Sequence, residues 1–130
     1  MLARYIRITI YIPFENWAER PFPAPEQIAE HSFVSDLLEL MKIHKGVGQL
    51  GLYDGVHEIG PGFEGFAPQE GSNPTQGIVN VREQLPAIRF TTYARADLFG
   101  TVKEFVDAAA EAHPWEYPVI EIDEISMWQK

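Results

Sequence analysis

An α+β chain in the order β, α, β, β, α, β is what the amino-acid sequence predicts, and two observations predict it. Strict alternation of apolar and polar residues marks strands at the start, in the middle and near the end. Between them lie two stretches whose apolar residues recur at helical spacing.

The first strand is Arg4 to Ile12, with Ile6, Ile8, Ile10 and Ile12 on one side and Tyr5, Arg7, Thr9 and Tyr11 on the other. Pro13 ends it, and a proline-rich connection from Asn16 to Pro25 leads to a helix that can use Pro25 in its first turn. Ile28, Val34, Leu37, Leu38 and Met41 form its apolar side, and Gly46 and Gly48 stop it. A short second strand is expected from about Gln49 to Val56, followed by a long glycine-rich hairpin arm from Gly60 to Gly77 with Phe63 and Phe66 as its large apolar anchors. Ile88, Phe90 and Thr92 alternate with Arg89, Thr91 and Tyr93 in a third strand, and Asp97 can cap the helix after it. Leu98, Val102, Phe105, Val106, Ala109 and Ala112 line one face of that helix, which ends at His113 before Pro114. Val119 to Asp123 is the last strand.

Two helices in this order cover one face of a four-stranded antiparallel sheet with right-handed crossovers, the ferredoxin-like arrangement, as a single domain over residues 1–130. The first and third core strands are then neighbours, which gathers Tyr5, Arg7, Thr9, Tyr11, Arg89, Thr91 and Tyr93 on the uncovered face. A face so aromatic calls for a partner sheet, so a homo-oligomer is expected. Trp17 and Trp128 are read as packing groups.

Ten Lys and Arg against nineteen Asp and Glu give a net charge of -9, which argues against nucleic acid and anionic membranes as partners. With no cysteine, thiolate chemistry is excluded and any metal must use His, carboxylate or carbonyl ligands. The start, MLARYIRITIYIP, lacks the continuous apolar run of a signal peptide or membrane span, and a soluble cytoplasmic protein is expected.

Four short motifs succeed one another: GVGQLGLYD from Gly46, GFEGFAP from Gly62, EGSNPTQG from Glu70 and HPWEYP from His113. In that order, and on these elements, they resemble the PII-like domain of the YqfO or Nif-three type, whose motifs end in HPYEEP. A more distant resemblance is to CutA, the divalent-cation tolerance protein, which also has a helix running into an HPY-x-x-P motif before a strand. The resemblance implies a PII-like ferredoxin fold, a small oligomeric module with a trimer as the first expectation, and binding or sensing of a small ligand or divalent metal ion. It implies no catalytic reaction. Gly55, Val56 and His57 stand where many relatives are cysteine-rich, and Tyr117 replaces the second acid of HPYEEP. PII proteins bind nucleotides between subunits with a mobile loop and basic residues, and the resemblance extends that possibility to the arm with Arg7, Arg89 or Arg95.

Candidate metal ligands are His113 and Glu116, with His57 or Asp54 approaching from the second strand, as imidazole and carboxylate suit zinc, nickel or copper. Tyr53, Asp54, Arg89 and Trp115 are candidate ligand-binding residues. The alternative for the motif is structural: His113 caps its helix and Trp115 fills a groove between subunits. Gly60, Gly62 and Gly65 satisfy the dinucleotide spacing, yet Pro68 forbids the helix that would receive a pyrophosphate, so the match is accidental. A non-enzymatic ligand-binding module is the leading expectation. A structural interaction module, or a small hydrolytic enzyme using His113, are the alternatives.

Overall fold

The computed structural model describes residues 1–14, 22–75 and 77–130. Most of the proline-rich connection, with Trp17, lies outside the described residues. The described strands and α-helices are, in order, β1 (Leu2–Pro13), α1 (Pro25–Ala29), α2 (Ser32–Ile43), β2 (His57–Phe66), β3 (Glu83–Arg95), α3 (Phe99–Ala112) and β4 (Ile120–Trp128). The strands form one antiparallel sheet in the order β2-β3-β1-β4, the ferredoxin-like order.

The alternation in β1 decides what is buried. Ile6, Ile8, Ile10 and Ile12 sit in the core with Ile88, Phe90 and Ala94 of β3, under Phe33, Val34, Leu37 and Met41 of α2 and Val102, Phe105 and Ala109 of α3. Each large side chain buried in this way contributes about 1.5–3 kcal/mol. The ion pairs Arg4–Glu124 (2.8 Å) and Arg7–Asp123 (3.2 Å) join β1 to β4 at exposed positions. Exposed pairs of this kind contribute roughly 0–1 kcal/mol, so the apolar layer, not the surface charge, holds the sheet to its helices.

The other face of the sheet is open. Register sets Arg7 opposite Tyr93, Thr9 opposite Thr91 and Tyr11 opposite Arg89, and the Tyr93 hydroxyl donates to the Glu58 carboxylate on β2 (3.0 Å). Tyr5 belongs to this face by register but is buried, with its hydroxyl accepting from the Gln129 amide (2.6 Å).

Several boundaries differ from the sequence-based expectation. Residues 49–56 are not a strand: they form turns around one Leu50–Tyr53 bridge, because Gly46, Gly48, Gly51 and Gly55 all take positive φ. The second strand begins at His57 and runs through the glycines of the expected arm, with Gly60 opposite Arg89 and Gly62 opposite Ala87. Pro61 is tolerated there because β2 is an edge strand. The first helix breaks at Glu30 and His31, between the apolar positions Ile28 and Val34; His31 is extended (φ -63, ψ 126) and starts α2. Asp97 does not cap α3 but lies in a short 3-10 turn, paired with Arg95 at 3.5 Å. β4 continues past Asp123 because Leu2 and Ala3 extend the ladder to Trp128 and Met127. Trp128 is 74% exposed there, so the packing role expected of it is not met among the described residues.

Gly48 joins the turn region to the sheet. Its N–H donates to the Tyr93 carbonyl (2.7 Å) and its carbonyl accepts from Val56 (2.8 Å). At φ +83, a Cβ would lie 2.3 Å from Met41 Cε and 3.3 Å from the Val56 nitrogen. Gly48→Ala is expected to destabilise by about 2–4 kcal/mol, combining left-handed strain with overpacking. Gly51→Ala, with nothing within 4 Å, meets the strain alone and loses about 1–2 kcal/mol. Urea unfolding of the two variants checks the difference.

Candidate functional site

Pro114 makes α3 end where it does. His113, the residue before it, is forced out of the helical region (φ -64, ψ 138) and turns the chain across the end of β1. Its ring is buried, 7% exposed, with its edge against Phe33 at a centroid distance of 4.8 Å. Nε2–H donates to the Tyr11 carbonyl (2.7 Å), and Nδ1 accepts from the Trp115 N–H (2.9 Å). Those partners require the neutral Nε2–H tautomer. Burial pushes the imidazole pKa below its ordinary value, against an opposing contribution from the Tyr11 bond.

The glycine-rich segment returns to meet this turn. The Asn73 N–H donates to Glu116 Oε2 (2.9 Å), and the Thr75 hydroxyl donates to the Pro114 carbonyl (2.6 Å). At the base of the arm, Phe66 lies against Gly77, where a Cβ would approach the ring to 2.9 Å, and the Asn80 N–H donates to the Pro68 carbonyl (2.6 Å). Between arm and turn is a cleft of about 490 Å³ walled by Phe66, Pro68, Trp115, Tyr117 and Val119, with Glu64, Glu70 and Glu116 among its lining. Burial, and secondly the charge of Glu121, raise the pKa of Glu64 above the ordinary carboxylate value.

Of the candidate residues, Trp115 and Glu116 line this cleft. Tyr53, 76% exposed, and Asp54, whose carboxylate accepts from the Gly55 N–H (2.9 Å), stand in the turn before β2. His57 opens β2, stacked on Phe90 at 5.0 Å, with Nδ1–H donating to the Gly55 carbonyl (2.8 Å). Arg89 crosses the open face beside Gly60, its Nη2 lying 3.5 Å from where a Cβ would be. Among the described residues, no group of three or more His, Asp or Glu is arranged to hold a metal ion. With both ring nitrogens of His113 in use, these residues do not fit a divalent-metal site built on that imidazole. The imidazole also bonds to β1 and not to the last carbonyls of its own helix. Sequence reasoning names Tyr117 only as a departure within HPWEYP and does not place Glu64 or Val119 in a site; the hint of Glu64 is the closeness of FEGF to the EGSNPT turn.

The geometry invites comparison with known proteins. No protein-family model matches the chain, and no curated protein matches it. Solved structures do. A Bacillus cereus protein related to NIF3 superposes with a TM-score of 0.63 at 17% identity, over 96% of this chain and 26% of that one. The periplasmic divalent cation tolerance protein CutA from Archaeoglobus fulgidus gives 0.50 at 19% identity, over 97% and 88%. A phage SAM lyase in complex with S-methyl-5'-thioadenosine gives 0.52 at 13% identity, over 97% and 93%. The likeness is one of fold. The chain has a ferredoxin-like fold, shared with the CutA structure, and it spans about a quarter of the length of the NIF3-related protein.

The His113 frame generates two expected outcomes. Because its folded pKa lies below the unfolded value of 6.5, its contribution to stability is complete above that pH and is lost as pH falls toward the folded pKa. Urea midpoints are expected to hold between about pH 8 and 7 and to decline below about pH 6.5, with a shallower decline in His113→Gln. Glu116→Ala should accelerate hydrogen exchange at the Asn73 amide while leaving the amides of β1 and β3 protected.

Proposed function

We propose that this protein is a non-enzymatic PII-like module that binds a small ligand in the cleft between the glycine-rich arm and the HPWEYP turn, and that it assembles with its own copies through the open sheet face. The cleft carries the proposal. Two segments some forty residues apart in the chain are tied together by Glu116 and Thr75 around a volume of about 490 Å³, within the range of small-molecule sites. Aromatic and aliphatic walls with a few polar groups are the composition such sites have. The phage SAM lyase, similar in fold, holds a small molecule, S-methyl-5'-thioadenosine; only the general capacity is taken over here, because fold does not fix chemistry.

Self-association is supported by the half-buried Tyr11 and Tyr93 beside Arg7 and Arg89, an aromatic and cationic surface suited to a second sheet. A trimer is the assembly proposed. Arg89 belongs to that surface in this scheme. Among the described residues, no helix is long and apolar enough to cross a membrane.

Light scattering at micromolar protein should give a mass of three chains, and Tyr93→Glu should lower it; a wild-type monomer contradicts the assembly. Calorimetric titration with a panel of nucleotides, amines and divalent metals should yield a ligand whose affinity falls about ten-fold or more in Trp115→Ala, the loss expected for one aromatic anchor. Binding that is indifferent to Trp115, in a variant that still folds, contradicts the cleft.

A further inference from the structure

Three carboxylates, Glu64, Glu70 and Glu116, share the lining of the cleft with the aromatic rings of Phe66, Trp115 and Tyr117, and no Lys or Arg is among its described lining residues. An anionic ligand would meet uncompensated repulsion there, strengthened by the net charge of -9. A bare metal ion is poorly matched for a different reason. Metal binding needs ligand atoms converging on one point, and among the described residues no such group of three forms. Carboxylates spread around an aromatic wall suit a cation that is itself extended, with its charge near the acids and its carbon body on the rings.

We propose, building on the cleft as the ligand site, that its ligand is an organic ammonium ion, held between the Glu64 and Glu116 carboxylates and the faces of Trp115 and Phe66. Glu116 is kept in place by the Asn73 N–H on one oxygen and retains acceptor capacity on the other. Glu64, partly desolvated and near Glu121, is poorly compensated as an anion in the free protein. A bound cation supplies the missing positive charge, so binding should also draw the Glu64 pKa downward.

The test uses two soluble pairs: choline with its neutral isostere 3,3-dimethylbutan-1-ol, and phenethylammonium with phenethyl alcohol. AMP serves as the anionic probe. Calorimetry or NMR titration of the full chain should find each ammonium ion bound about ten-fold or more tightly than its neutral counterpart. Glu64→Gln should reduce that preference about three-fold or more without changing the affinity of the alcohols. The carboxyl resonance of Glu64 should titrate at lower pH when choline is bound. Equal binding within each pair, or tighter binding of AMP in the cleft, overturns the ammonium assignment and leaves the cleft as a site for another ligand. If neither the ammonium ions, the alcohols nor AMP show binding that Trp115→Leu removes in a folded variant, both the assignment and the cleft fall.

Discussion

Both ring nitrogens of His113 are bonded to backbone, one to the carbonyl of Tyr11 on the central strand and one to the amide of Trp115 in the turn. The rest of the candidate site depends on this bridge. It fixes where the chain goes after α3, and so where Trp115, Glu116 and Tyr117 stand relative to the arm. Without the imidazole, a part-buried carbonyl and a part-buried amide lose these partners, at a cost of up to about 1–3 kcal/mol for each group that water does not reach. The bonds also explain a chemical choice. A neutral ring with both nitrogens engaged is a strut, poorly suited to donate a lone pair to a metal or to shuttle a proton.

From that strut the cleft is built by short-range contacts. Pro114 and Pro118 stiffen the turn, while the Pro114 carbonyl and the Glu116 carboxylate receive Thr75 and Asn73 from the arm. The arm itself hangs on the far end of β2 and β3, beyond the last residue of β1. Beyond Phe66, where sheet pairing stops, its position is therefore set by these two tethers and by Phe66 on Gly77. A segment held by a few bonds, next to a rigid core, is suited to adjust to a ligand without disturbing the fold.

The sequence is most legible where one face of a regular element is buried. Ile6, Ile8, Ile10 and Ile12 alternate because β1 is covered on one side, and Val102, Phe105 and Ala109 recur because α3 presents one stripe to the same core. Topology comes with them, since the order of elements admits few arrangements. Legibility fails where glycine separates pattern from structure. The run from Gln49 to Val56 mixes apolar residues with turn glycines and so reads as a strand, whereas GPGFEGF has turn composition yet pairs along β3, which supplies the register. The two prolines of HPWEYP announce its stiffness. The partners of His113 do not show, because a bond to the Tyr11 carbonyl, 102 residues away, leaves no trace in side-chain pattern. For the same reason Glu64 joins the candidate site only when the arm is seen folded back.

Function in this small domain rests on a division of labour. Ile-rich β1 and the two longer helices provide stability; in the function proposed here, the open face receives like copies and the turn with its arm receives the ligand. The most direct test of this account is the protonation state of His113, read from nitrogen-15 shifts of its ring across about pH 5.5 to 8 with and without zinc. The account predicts a neutral ring with the proton on Nε2 at neutral pH, unmoved by zinc. A ring protonated on Nδ1 at neutral pH, or one whose nitrogen shifts respond to zinc, would contradict it.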